Sequence, residues 1–313
     1  MIVMLAKSGL QLLLLLLVAP LLSGIIQTLK ARLQTRRGPD IVQPYRDLFK
    51  LLRKGMVIPD TASWIFSAAP YMVFVTAALV GLMIPMAATD APFSLFGGIL
   101  AVIYLLALGR FFLALGGLDT GSSFGGLGSS REMTISAIAE PAMMLAIFTV
   151  ALSANSTNLS EMARSAVSQS WRFLAPSQML AFSGLFIVLI AETGRIPVDN
   201  PATHLELTMI HEAMILEYSG PYLALIEWGA SIKQLVLMTL LVNTFFPFGL
   251  SPNWTVSGLG LGLCFYLFKL LLLACCIVLV ETTNAKMRLF RVPELLAVAF
   301  ILGALALIST FLF

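Results

Sequence analysis

Charge is what this sequence has least of. Only 11% of its 313 residues are Asp, Glu, Lys or Arg, where a soluble domain carries about 25%. So little charge cannot solvate a surface in water, which argues against a soluble globular protein and against a nucleic-acid partner. With 59% apolar residues and a mean hydropathy of +0.95, the solvent for most of the surface must be lipid. Cysteine is scarcer still. Cys264, Cys275 and Cys276 share one apolar segment, form no C-x-x-C pair and have no histidine near them. They supply no iron–sulfur or zinc site and read as small packing residues. The two histidines, His204 and His211, are poorly spaced for a metal pair compared with i, i+4, and no third ligand is in register. The glycine-rich tract 116–132, GGLDTGSSFGGLGSSRE, lacks the Lys-Ser/Thr ending of a P-loop and follows no strand. That argues against nucleotide binding and leaves a tight turn whose glycines let another backbone approach. No soluble domain, low-complexity linker or internal repeat is visible, and the missing repeat weighs against inverted-repeat transporters.

What the chain has is long apolar runs. A spanning helix needs about 20 mostly apolar residues. Segments near 4–28, 68–88, 97–116, 134–154, 178–193, 222–248, 256–281 and 293–312 meet or approach that length. They predict an all-α polytopic membrane protein of about eight helices, with 1–313 as a single membrane domain. The first segment resembles a secretory signal, but its apolar run is too long and a basic tract follows it, so it reads as a retained helix. The fifth is short and ends at Glu192, as a helix does that stops at a polar interface. With the amino terminus outside, thirteen basic residues fall in inner loops, from Lys30, Arg32, Arg36 and Arg37 through to Lys286, Arg288 and Arg291. Only Lys7, Arg164 and Arg172 fall outside. That asymmetry predicts both termini on the outer face.

The inner loops hold the specific chemistry. Around 41–55, Tyr45, Leu48, Phe49 and Leu52 share one helical face while Arg46, Lys50, Arg53 and Lys54 surround the other. Such a helix can lie on anionic lipid, dock a soluble partner, or do both. Between Glu192 and Gly220, Pro197 and Pro201 prevent a continuous helix; Thr203 then caps one, with Glu206 completing a capping box. Glu192, Glu206, Glu212 and Glu217 lie close together there, and partly desolvated acids with coupled titration suit proton relay. Within the apolar segments sit Glu140, Glu227, Arg110, Lys233 and Lys269, with Glu281 near an inner boundary. Each central charge costs about 2.5–3.5 kcal/mol to insert, so these residues are functional candidates.

RRGPD at 36–40, AETGRIPVD at 191–199 and EYSG at 217–220 resemble the H-subunit family of respiratory complex I, over nearly the whole chain and in the expected order. LDTGSSFGGLGSSRE at 118–132 and NPATHLELTMIHEAMILEYSG at 200–220 are similar to the corresponding subunits of membrane-bound group 4 NiFe-hydrogenases, the branch that includes formate hydrogenlyase and hydrogenase-4 (component C). The resemblance implies an eight-helix subunit, not catalytic alone, that joins an electron-transfer module to ion translocation in the inner (cytoplasmic) membrane. It implies that the NiFe centre and iron–sulfur clusters lie in partners: hydrogenase large and small subunits, an iron–sulfur subunit and antiporter-like membrane subunits. This chain would bind no cofactor or metal itself. Residue by residue, Glu192, Arg195, Pro197, Asp199, Glu206 and Glu217 match the family's long inner loop, and Glu140 matches an acid of its fourth helix. Complex I has further acids where this chain has Ala202 and His204. The expected relay or coupling set is therefore Glu140, Glu192, Asp199, Glu206, Glu212, Glu217, Glu227 and Lys233. Arg36, Arg37, Asp119, Arg131 and Arg195 are expected to dock the soluble module. The corresponding membrane component of a quinone-reducing complex I is the alternative within this class, and a free-standing ion transporter the alternative outside it.

Overall fold

A computed structural model of the chain describes residues 2–168, 175–199, 209–252, 254 and 256–312. The apolar runs form helices α1 (Ile2–Leu33), α3 (Trp64–Met83), α4 (Ile99–Asp119), α5 (Ser123–Ala154), α7 (Pro176–Glu192), α9 (Gly220–Phe245), α10 (Val256–Thr283) and α11 (Val292–Leu312). Seven of these are long and apolar enough to cross a membrane, and α7 is a shorter apolar helix of the same kind. The chain is thus an all-helical, multi-pass membrane protein. Among the described residues there are also three short α-helices: the amphipathic α2 (Gln43–Leu52), α6 (Leu159–Ser168) and α8 (His211–Ile215). No sequence pattern pointed to α6. The helix expected to start at Thr203 lies outside the described residues, as do His204 and Glu206.

One expectation is corrected. The glycine-rich tract is not an inner loop running to residue 132: α5 begins at Ser123, leaving only a short turn after α4. The Ser122 hydroxyl starts α5 by accepting from the Gly125 amide at 3.1 Å. Packing overrides the poor helix propensity of these glycines. A Cβ on Gly125 would lie 2.0 Å from the Gly117 carbonyl oxygen, so only glycine lets α4 and α5 approach this closely.

In lipid, helices gain little from the hydrophobic effect against one another, and close van der Waals packing decides. Gly303 of α11 sits against Ala142 and Ala146 of α5, and Ala299, one turn earlier on α11, lies against Gly184 of α7. A Cβ on Gly303 would meet the Leu145 Cβ at 3.0 Å. The pairs α3/α4, α5/α11, α7/α11 and α3/α9 make the most extensive contacts.

Loops gather at the two ends of the bundle in two separate sets. At one end the Val57 amide donates to Ser219 Oγ (3.0 Å), the Thr61 hydroxyl to the Thr120 carbonyl (3.1 Å), and the Met287 amide to the Pro197 carbonyl (2.9 Å). Asp119 caps α3 there, accepting from the Ser63 amide and hydroxyl (both 2.7 Å) and the Phe66 amide (3.2 Å). At the other end the Thr89 amide donates to Ser251 O and the Ile99 amide to Thr157 O, both at 3.0 Å. All the loops rich in Lys and Arg belong to the first set.

Candidate functional site: a charged cavity inside the bundle

An arginine inside an apolar bundle must be compensated, because desolvating an ion costs several kcal/mol. Arg110 of α4 has only 3% of its side chain exposed. Its Nη1 lies 3.3 Å from Glu140 Oε1 of α5 and 3.1 Å from Glu192 Oε1 at the end of α7. Lys233 of α9 closes the group, with Nζ 2.8 Å from Glu192 Oε2. Four helices thus meet through four charges, and the Glu192 carboxylate, 3% exposed, holds a cation on each oxygen.

A second group lies beside it. Arg195 donates from Nη1 to Glu281 Oε1 (2.8 Å) and from Nη2 to Gln234 Oε1 (2.9 Å), and Lys30 Nζ reaches Glu281 Oε2 at 2.9 Å. Nearby, Lys286 Nζ donates to Asp199 Oδ1 at 2.8 Å. The other oxygen of Asp199 accepts from the Ile210 and His211 amides at 3.3 and 3.4 Å.

Both groups border a cavity of about 420 Å³. Six acids line it, Asp47, Glu132, Glu192, Asp199, Glu212 and Glu227, against the cations Arg110, Arg195 and Lys233, with His211 beside them. Of the expected relay set, Glu192, Asp199, Glu212, Glu227 and Lys233 therefore share one chamber, and Glu140 joins through Arg110. Glu217 does not: it is exposed and lines no part of the cavity. Glu206 lies outside the described residues. Lys269 sits apart, at the far end of α9, donating to Asn243 Oδ1 (2.9 Å) and the Phe246 carbonyl (3.0 Å), where a cation complements a helix C-terminus.

The residues expected to dock partners divide. Arg36 and Arg37 are exposed. Asp119 is engaged at the cap of α3, Arg131 donates to the Met209 carbonyl at 2.7 Å, and Arg195 belongs to the Glu281 group. Glu132 is absent from the expected set because the glycine-rich tract before it reads as a turn, and the sequence offers no partners for Arg110 or Glu281. An extended α5 would have brought Glu132 into view; nothing in the sequence showed which acids Arg110 meets. Among the described residues, no group of three or more His, Cys, Asp or Glu is arranged to hold a metal ion.

Burial pushes the His211 imidazole below its ordinary range; Lys233 acts in the same direction, while Glu212 and Asp199 oppose it. The folded chain then keeps His211 neutral where the unfolded chain takes up a proton. Its contribution to stability is present above about pH 6.5 and declines as pH falls below that value. A His211→Gln variant should therefore lose less thermal stability than the parent between about pH 7.5 and 5.5. Equal losses in thermal melts of the two would remove His211 as the acid-sensitive group. Burial also raises the Tyr218 phenol, which stacks on Phe66 with ring centroids 4.0 Å apart and donates to the Phe66 carbonyl at 3.2 Å.

Against known proteins, residues 7–312 match the family model described as NADH dehydrogenase. The chain is 35% identical to formate hydrogenlyase subunit 4 of Escherichia coli K12, over 93% of this chain and 94% of that one. It is 36% identical to hydrogenase-4 component C of the same organism, over 95% and 92%. The H-type chain of the NADH-quinone oxidoreductase of Rickettsia bellii is 29% identical, over 82% and 77%. Among solved structures, a chain of the membrane-bound sulfane sulfur reductase, an archaeal respiratory membrane complex, superposes with a TM-score of 0.86. That alignment covers 98% of this chain and 99% of the other at 19% identity, a likeness of fold.

Proposed function

The chain belongs to the NADH dehydrogenase family, and from that premise we propose that it is the membrane anchor and coupling subunit of an energy-converting hydrogenase complex. It works as one member of a multisubunit assembly in the inner (cytoplasmic) membrane. The partners are hydrogenase large and small subunits, an iron–sulfur subunit and antiporter-like membrane subunits. They hold the NiFe centre and the clusters. Both termini lie outside, and the Lys- and Arg-rich loops face the soluble module.

The observation that carries this reading is the line of buried ionisable side chains leading inward from the basic end. Asp199, His211, Glu192 and Lys233 share the wall of one cavity, and Arg110 joins Glu192 to Glu140. Such a line can pass protons, or the electrostatic change that drives them. A quinone-reducing role finds less support. Ligand pockets are mostly apolar with few polar groups, whereas this cavity sets six acids and three basic residues into its wall. That lining suits water and protons better than an apolar ring.

The test is affinity purification from membranes in mild detergent, followed by analysis for nickel and iron. Both metals should co-purify. A chain that purifies alone and moves ions unaided is a transporter, and the proposal fails. In the same preparation, reversing charge at Arg36 and Arg37 to glutamate should release the soluble module. If the module stays bound and active, those arginines are lipid anchors only.

A further inference from the structure

We infer that Glu132 is the proton-loading carboxyl of the cavity, taking a proton from cavity water and passing it toward Glu192. This rests on the reading of the chain as a coupling subunit. Three observations lead to it.

Glu132 lines the cavity from α5, and among the described residues it makes no contact ion pair. Glu140, Glu192, Asp199 and Glu281 each have a cation within 3.3 Å. Glu132 instead feels Lys233 and Arg110 at longer range, opposed by Glu192 and Asp199. A carboxylate locked to a cation gives up its charge reluctantly, while one held in the field of two cations, free of both, can change protonation state.

The charges around it do not balance. Glu132, Glu140 and Glu192 bring three negative charges to Arg110 and Lys233, which bring two positive ones. Fully ionised, the five carry one excess negative charge inside the bundle. One proton neutralises the group, and Glu132 is the carboxyl with no contact partner to lose by accepting it.

The third observation concerns Arg110. It is 5% exposed and lines the same cavity, yet none of its three guanidinium nitrogens has an aligned hydrogen-bond partner among the described residues. Buried donors are nearly always satisfied, and at the wall of a polar cavity ordered water is the group that satisfies them. Arg110 and Glu132 line the same cavity, so water held there would reach both. Arg110 Nη1 is also shared between Glu192 and Glu140, at 3.1 and 3.3 Å. A small shift toward Glu140 uncovers Glu192 as an acceptor.

The transfer balances without electrons. A hydronium ion in the cavity gives its proton to the Glu132 carboxylate, leaving water and a carboxylic acid. While Arg110 is turned toward Glu140, the acid gives the proton through cavity water to the uncovered Oε1 of Glu192 and returns to its ionised form. The ionisable groups sharing this cavity with it are Asp47 of α2, Arg110 of α4, Glu192 of α7, Arg195 and Asp199 beyond it, His211 and Glu212 of α8, and Glu227 and Lys233 of α9. Neither α6 nor α11 brings an ionisable group to it.

The test uses the whole complex in sealed vesicles. Glu132→Gln should cut proton movement about 100-fold, remove one ionisation from the pH profile of turnover, and delete a carboxyl stretching band from the infrared difference spectrum. Glu132→Asp should restore proton movement in part and shift that band. If Glu132→Gln does not assemble, the band in the parent and in Glu132→Asp decides alone. An unshifted band, or an assembled Gln variant with the parent's stoichiometry and pH profile, overturns the inference while leaving the coupling role intact. A parent complex that moves no ions overturns both.

Discussion

Replacing Arg110 by methionine is expected to destabilise the chain by about 3–5 kcal/mol, the usual loss when one partner of a buried ion pair is removed. The damage should be unequal. Glu192 keeps Lys233 at 2.8 Å, whereas Glu140 loses its cation and stands uncompensated in a spanning helix. Arg110→Met combined with Glu140→Gln should therefore regain a large part of the loss, because the stranded charge goes with it. Arg110→Lys keeps the charge but offers one nitrogen centre in place of a planar fork, and should fall between. Thermal unfolding of the purified complex, with the yield of assembled material, measures all three. A single methionine variant as stable as the parent would show that Arg110 does not hold the acids together.

That arginine also marks where the sequence stopped being legible. The spanning helices could be read because lipid imposes one rule, about 20 apolar residues per crossing, and long apolar runs satisfy it locally. The amphipathic pattern around 41–55 pointed to α2 for a similar reason: Leu48 is buried while Arg53 and Lys54 are exposed. The start of α5 could not be read locally. Gly125 and Gly128 disfavour helix by propensity, and only contact with α4 and with Ala213 explains why they are helical. The same misplaced boundary hid Glu132 in a supposed loop. Arg110 and Glu281 stood out as charges in apolar segments, but their partners come from other helices far along the chain. No periodicity records such a pairing. Glu217 shows the converse: it sits in a motif shared with the family yet lies outside the cavity, so motif membership alone did not locate it.

The largest functional effect is expected at Glu192. Its carboxylate lies where α7 ends, paired with Arg110 on one oxygen and Lys233 on the other, and it borders the cavity. Arg110, which it shares with Glu140, links it to that second acid. Glu192→Gln keeps the side chain's size, removes its charge and its titratable proton, and leaves one accepting oxygen beside an NH2 donor. Assembly should survive: Arg110 retains Glu140, and Lys233, 21% exposed, can be solvated by cavity water. Coupled turnover should fall about 100-fold, the scale lost when a positioned proton-transfer group is removed. Proton movement should fall with it, while nickel and iron content stay at the parent's level. Metal content is the control that separates the two meanings of a dead variant, since a complex that has shed its soluble module is also inactive. Glu192→Asp, which restores the carboxylate on a shorter arm, should recover part of the activity. An assembled Glu192→Gln complex with full metal content, unchanged turnover and unchanged proton movement would make the ion-paired carboxylate a structural brace, and the relay would have to run elsewhere.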